Sequence, residues 1–116
     1  MTILHDALTA LLAGITQYKP NTKEIEWEDK YGYPCTIESL GDEKYVVRYY
    51  YANDNLLWEI PYRAGLREGV EKIYYTNDNL WREIPFKAGL KDGMERRYDK
   101  NGNITRQTLY KDDKIQ

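Results

Sequence analysis

Residues 53–76 and 77–100 repeat one another. Asn53-Asp54-Asn55-Leu56 returns as Asn77-Asp78-Asn79-Leu80, Glu59-Ile60-Pro61 as Glu83-Ile84-Pro85, and Ala64-Gly65-Leu66 as Ala88-Gly89-Leu90. Across this 24-residue unit 13 positions are identical, and a third copy opens at Asn101-Gly102-Asn103-Ile104 and fades by Lys114. A unit this short cannot bury an apolar face alone, so a fixed period of this size calls for copies stacked side by side.

Within each copy the apolar residues alternate, which is the period of a strand and not of a helix. Tyr45 to Tyr51 runs out, Asn53-Asp54-Asn55 turns, and Leu56 to Tyr62 returns. Val70 to Tyr75, Asn77-Asp78-Asn79 and Leu80 to Phe86 repeat that hairpin. Asn101-Gly102 suggests a type I′ turn, which needs positive φ at both central residues, so Asp54 and Asp78 are expected in the left-handed region. At the other end Gly65 and Gly69, then Gly89 and Gly93, bracket tight loops. Leu66 and Leu90 between them are expected to tuck over the sheet edge. Pro61 and Pro85 lie in the return strands, where proline cannot donate to a ladder, and imply a bend or bulge.

Ahead of the repeats, Ile3, Leu4, Ala7, Leu8, Leu11, Leu12 and Ile15 recur at helical spacing, and Thr2 and Gly14 suit the ends of a helix over 2–15. Tyr18-Lys19-Pro20-Asn21 reads as its break. Residues 23–40 read as a degenerate hairpin, with Ile25 and Trp27 on one face of its first strand and Glu24, Glu26 and Glu28 on the other. The expected fold is therefore mainly β: one domain, 1–116, holding a single-layer antiparallel meander over 44–114. The N-terminal α-helix is expected to cap its open face as a lid.

Net charge is −2, and 12 tyrosines stand against one phenylalanine. The charges are interspersed, which excludes the clustered basic patch of a nucleic-acid binder. One cysteine, Cys35, excludes an internal disulfide and is expected as a buried, inert thiol. The N-terminus lacks a basic leader, so a soluble cytoplasmic protein is expected. His5 alone makes no metal site, and neither a cofactor nor a catalytic residue is expected.

The unit G-L-x-[ED]-G-[VM]-E-x-x-Y, followed by N-x-N-L and E-I-P-[YF]-x-x-G, resembles the MORN-variant repeat over residues 44–114. That module is a short β-hairpin found in many bacterial proteins, including those described as antitoxins of the YwqK type. The resemblance implies a curved single-layer meander with one hairpin per repeat and aromatic side chains stacked along it.

Tyr50, Tyr74 and Tyr98 share one phase of the repeat, and Tyr62, Phe86 and Tyr110 another. Both sets are expected to pack as aromatic ladders. Glu59 and Glu83 are expected as solvated partners of Arg63, Lys87 or Arg106, because equivalent positions give no asymmetry for acid–base work. Trp58 and Trp81 stand one step out of phase and should point to opposite faces. An exposed Trp81 beside Arg82, Tyr49 and Tyr51 would make an anchor patch, with Trp58 as the other candidate. The carboxylates Glu24, Glu26 and Glu28 could steer a basic partner. Asp112-Asp113 with Lys111 and Lys114 reads as edge protection. The resulting expectation is a non-enzymatic module for binding a protein partner, in its sharpest form an antitoxin- or immunity-like mask, as a monomer or weak homo-oligomer. The alternative is a peripheral, lipid-associated scaffold, against which the lack of a basic amphipathic surface counts.

Overall fold

The computed structural model describes the backbone of residues 15–20 and 25–29, and residues 34–116 in full. The twelve strands among the described residues lie in one antiparallel sheet. They are β1 (Ile15–Pro20), β2 (Ile25–Asp29), β3 (Pro34–Gly41), β4 (Lys44–Tyr50), β5 (Leu56–Arg63), β6 (Leu66–Arg67), β7 (Gly69–Tyr74), β8 (Leu80–Lys87), β9 (Leu90–Lys91), β10 (Gly93–Tyr98), β11 (Ile104–Lys111) and β12 (Lys114–Ile115). The spatial order follows the sequence, with the short β6 and β9 paired only to the ends of β5 and β8. No helix occurs among the described residues.

The expected helix over 2–15 and its role as a lid lie outside the described residues, except at its end. There the expectation is corrected: Ile15 is already in β1, and Tyr18-Lys19-Pro20 continues that strand, with Tyr18 opposite Trp27 and Pro20 opposite Ile25. Ile15, Thr16 and Tyr18 are strand formers, and β2 supplies the edge that pairs them. Residues 25–29 and 34–41 form the first hairpin's strands, with Ile25 opposite Ile37 and Trp27 opposite Cys35.

The two ends of each hairpin exchange the turn types that the sequence suggests. At the Asn end the loop has three residues: Asp54 N donates to Tyr51 O (3.0 Å) and Tyr51 N to Asn55 O (2.9 Å), and only the third residue has positive φ. Asp54 (69°), Asp78 (72°) and Gly102 (91°) hold that position. This is a type I turn closed by a left-handed residue, not a type I′ turn. The side chains explain it: Asn53 Oδ1 and Asn77 Oδ1 accept from the N–H two residues on, both at 3.1 Å, which holds the asparagine out of the left-handed region. The two-residue turns with both φ positive are at the opposite end, at Asp42-Glu43, Ala64-Gly65, Ala88-Gly89 and Asp112-Asp113. Asp112-Asp113 therefore turns β11 into β12, and Asp113 Oδ1 accepts from Lys91 N at 2.6 Å. Since Asp78 pays for its left-handed backbone, Asp78→Gly should raise stability by about 0.5–1 kcal/mol. A thermal melt checks this, and an unchanged or lowered midpoint would show that aspartate bears no strain there.

Proline is accommodated by breaking the strand opposite it. Pro61 O accepts from Glu68 N (3.1 Å) and Pro85 O from Asp92 N (3.0 Å), at the points where β6 gives way to β7 and β9 to β10. Gly69 (φ 109°) and Gly93 (φ 122°) follow at once, and the proline rings lie 3.3 and 2.9 Å from where their Cβ atoms would be. The implied bulge thus sits in the partner strand.

Successive hairpins are stapled at both ends. Tyr51 Oη donates to Tyr74 O (2.6 Å) and Tyr75 Oη to Tyr98 O (2.8 Å). Asn55 Nδ2 donates to Thr76 O (3.0 Å) and Asn79 Nδ2 to Lys100 O (2.6 Å). At the other end Ala64 N donates to Glu43 O, Gly89 N to Arg67 O and Asp113 N to Lys91 O, each at 2.9 Å. Leu66 does not tuck away: it stays about half exposed, with its side chain against Gly89 of the next turn.

The core lies on one face of β3, β4 and β5, where Cys35, Ile37, Tyr45, Val47, Tyr49 and Ile60 are buried and Leu57, Trp58 and Tyr62 pack against them.

Candidate functional site

Register sets the side chains of successive strands in rows on each face. On the core face, Cys35, Tyr49, Trp58, Ile73, Arg82, Arg97 and Arg106 stand opposite one another on successive long strands. The row begins apolar and ends in three arginines. Beside it run Ile37, Val47 and Ile60, then Glu71 opposite Ile84, then Glu95 opposite Thr108. One repeat period separates Val47, Glu71 and Glu95, so two carboxylates replace a valine.

Both carboxylates are buried, with about 3% of each residue exposed, yet their surroundings differ. Burial pushes the Glu71 carboxyl above its ordinary 4.5, and the charges of Arg67, Arg82 and Lys91 only partly oppose this. Arg67 Nε stands 3.4 Å from Glu71 Oε1 but lacks hydrogen-bond alignment, and Glu71 Oε1, Trp58 Nε1 and Arg82 Nε are buried without a hydrogen-bonding partner. Burial also works against the charged form of Glu95. There the Arg82 hydrogen bond at 2.9 Å, with Arg82, Lys91 (3.6 Å) and Arg97 (3.4 Å) as charges, wins and holds the carboxyl below 4.5. The cause is two repeat-equivalent exchanges: Arg82 occupies the place of Trp58, and Arg97 that of Ile73.

The opposite face carries an ion ladder. Arg48, Glu59, Lys72, Glu83, Arg96 and Gln107 face one another across six strands with alternating sign up to the glutamine. Arg48 binds Glu59 and Glu38, both at 2.9 Å. Glu83 accepts from Tyr98 Oη at 2.6 Å and lies 3.5 Å from Arg96. That hydrogen bond, then burial, raises the Tyr98 phenol, while burial and Glu59 raise that of Tyr74. Glu59 and Glu83 thus pair with Arg48, Tyr98 and Arg96, and not with Arg63, Lys87 or Arg106 as the sequence suggests. The ladder is flanked by an apolar row (Val46 opposite Pro61, Val70 opposite Pro85, Met94 opposite Leu109). Its other flank is the tyrosine row, in which Tyr50 faces Leu56, Tyr74 faces Leu80 and Tyr98 faces Ile104. Those tyrosines alternate with aliphatic residues and do not stack ring on ring, because every other strand carries the return half of a hairpin.

The anticipated anchor patch is only partly assembled. Tyr49 is buried (4% exposed) and stacks on Trp58 at 5.1 Å between ring centroids. Tyr51 is committed to its staple. Arg82 faces the core side and pairs with Glu95. Trp81 is 38% exposed and leans on Tyr75 at 6.2 Å. Its one-step offset from Trp58 does not send it to the opposite face, because the register shifts between Ile73 and Tyr74 and leaves Trp81 as the extra residue of a bulge. Leu57 is the same bulge residue one repeat earlier and packs with Trp58 on one core. Glu26 and Glu28 lie on β2; Glu24 falls outside the described residues. The buried glutamates were missed from sequence, although a carboxylate within an alternating apolar phase (Val47, Glu71, Glu95) was a readable signal.

Comparison with known proteins follows the fold. No curated protein matches the chain. Solved structures that share its architecture at 9% identity include a mutant of S. aureus TarM in complex with fondaparinux, alpha-GlcNAc-glycerol and UDP (TM-score 0.61), and TarM (TM-score 0.60). Each match covers 97% of this chain but 23% of the other, so the chain spans about a quarter of the length of the structures it resembles, and the likeness is one of fold. The MORN repeat variant matches residues 67–88 and 91–112, each match running from β6 or β9 through one hairpin to the end of its return strand. The chain therefore carries MORN-variant repeats over residues 67–112.

Proposed function

We propose that this chain is a non-enzymatic protein-interaction module that masks a partner in the manner of an antitoxin or immunity protein. The observation that carries the reading is the end of the core face. Arg82, Arg97 and Arg106 stand directly opposite one another, an arrangement that costs stability unless anions neutralise it. Among the described residues Glu95 is the single carboxylate that reaches them. Trp81, exposed where Leu57 is packed, borders that row. A tryptophan beside three arginines that share one carboxylate is the composition of a binding hot spot for an acidic protein surface. Glu71 and Glu95 have opposed proton affinities, as an acid–base pair requires, but both are closed off from solvent, which favours a structural role.

Affinity capture with the wild type and Trp81→Ala tests this. The variant should keep its melting midpoint and recover much less of the partner, by about tenfold or more. Equal recovery would remove Trp81 from the surface. Flotation of the chain with anionic vesicles at low salt would instead favour the lipid-scaffold reading.

A further inference from the structure

Among the described residues the return strands β5 and β8 are each covered by the following repeat, and β11 is not. β7 lies against Trp58 and Glu59 of β5, and β10 against Arg82 and Glu83 of β8. The equivalent residues of β11 are Arg106 and Gln107. Both are exposed, and among the described residues no strand lies against them, since β12 covers only Tyr110 and Lys111. The approach to that edge is already built. Gln116 N donates to Leu109 O at 2.9 Å, as Glu68 N does to Pro61 O and Asp92 N to Pro85 O. The covering strand brings a glutamate to the core face each time, Glu71 and then Glu95, and Glu95 reaches Arg82 at 2.9 Å. Arg106 holds the place of Arg82 and has no carboxylate within ion-pair distance among the described residues.

We propose, resting on the interaction reading above, that the open edge of β11 takes an extended segment of a partner protein as an added strand, with a carboxylate of that segment seated on Arg106. Main-chain bonds to the edge supply affinity, and Arg106 selects phase and charge. The segment continues an interface that the chain builds twice within itself.

The test titrates the full chain, followed by amide NMR, with a synthetic peptide of the sequence of residues 66–76, which carries the Glu71 carboxylate in the required phase. Saturable shifts are expected at residues 104–109. Arg106→Gln should weaken binding by about tenfold or more, glutamine for glutamate in the peptide should do the same, and the two changes together should cost no more than one. Arg106 is exposed, so its variant stays folded. A peptide N-methylated at two successive central residues keeps its side chains but cannot pair, and should not bind. No shifts at 104–109 up to about 1 mM peptide, shifts confined to residues 58–60, or undiminished binding of the N-methylated peptide would each overturn the proposal. If the peptide fails while Trp81→Ala still loses the captured partner, strand addition falls and the interaction reading stands. If both fail, both fall.

Discussion

Gly93→Ala should lower the stability of this chain by about 2–4 kcal/mol, the larger of two glycine effects in the repeats. Two costs add. The backbone at Gly93 has φ 122°, where a side chain is strained, and a Cβ there would stand 2.9 Å from Pro85 Cγ. A proline ring cannot swing aside as a flexible chain end does. At Gly69 the same geometry is looser, with φ 109° and 3.3 Å to Pro61 Cγ, so Gly69→Ala should cost less. Combining Gly93→Ala with Pro85→Ala should recover the steric part and leave the backbone part. Urea unfolding of the four proteins decides it: equal losses at Gly69 and Gly93, or no recovery in the double variant, would mean that the ring contact does not set the fold.

Glu71→Val and Glu95→Val should have opposite signs, although the two positions are one repeat apart. Glu71 is buried beside Trp58 with an unbonded oxygen, and the first repeat carries Val47 in its place, so valine should stabilise by about 1–2 kcal/mol. Glu95 neutralises Arg82, Lys91 and Arg97; removing it leaves three cations facing one another and should cost about 1–3 kcal/mol, discounted because those cations are partly exposed. The pH dependence follows from the same asymmetry. The raised Glu71 means that the unfolded chain ionises first, so stability falls as pH rises from about the ordinary 4.5 to the higher folded value, then stays flat. The depressed Glu95 contributes stability above 4.5 that is lost as pH falls through its lower folded value. Melting curves against pH should therefore lose the descending limb in Glu71→Gln and the acid limb in Glu95→Gln. Identical profiles for the two variants would refute the assigned environments.

Much of the sheet was legible because strand period, asparagine turns and glycine spacing all recur on one 24-residue count. The turn types were not, because the Asn-Gly pair of the third copy suggests a two-residue turn, while the Asn53 and Asn77 side chains lock a three-residue one. The end of the expected helix was misread since Ile15 fits both the helical stripe and β1, and only the pairing with β2 decides. The tryptophan faces were missed for a related reason: a bulge residue resets the alternation, and Trp81 sits on it. Tyr51 and Tyr75 read as more of the same aromatic run, yet their hydroxyls tie one hairpin to the next. The charge row on the core face escaped notice because it needs register across three strands, and spacing within one copy does not supply register.

The staples from Tyr51 and Tyr75 run to Tyr74 O and Tyr98 O, each in the adjoining hairpin. Every strand neighbour in the sheet is also a near neighbour along the chain. Among the described residues no strand pairing closes the sheet into a loop, so the order of a hairpin in the repeats rests chiefly on those beside it. Such a ribbon can fray from its β11 margin while β3 to β5 stay zipped, so an added strand there would order the margin as well as bind it.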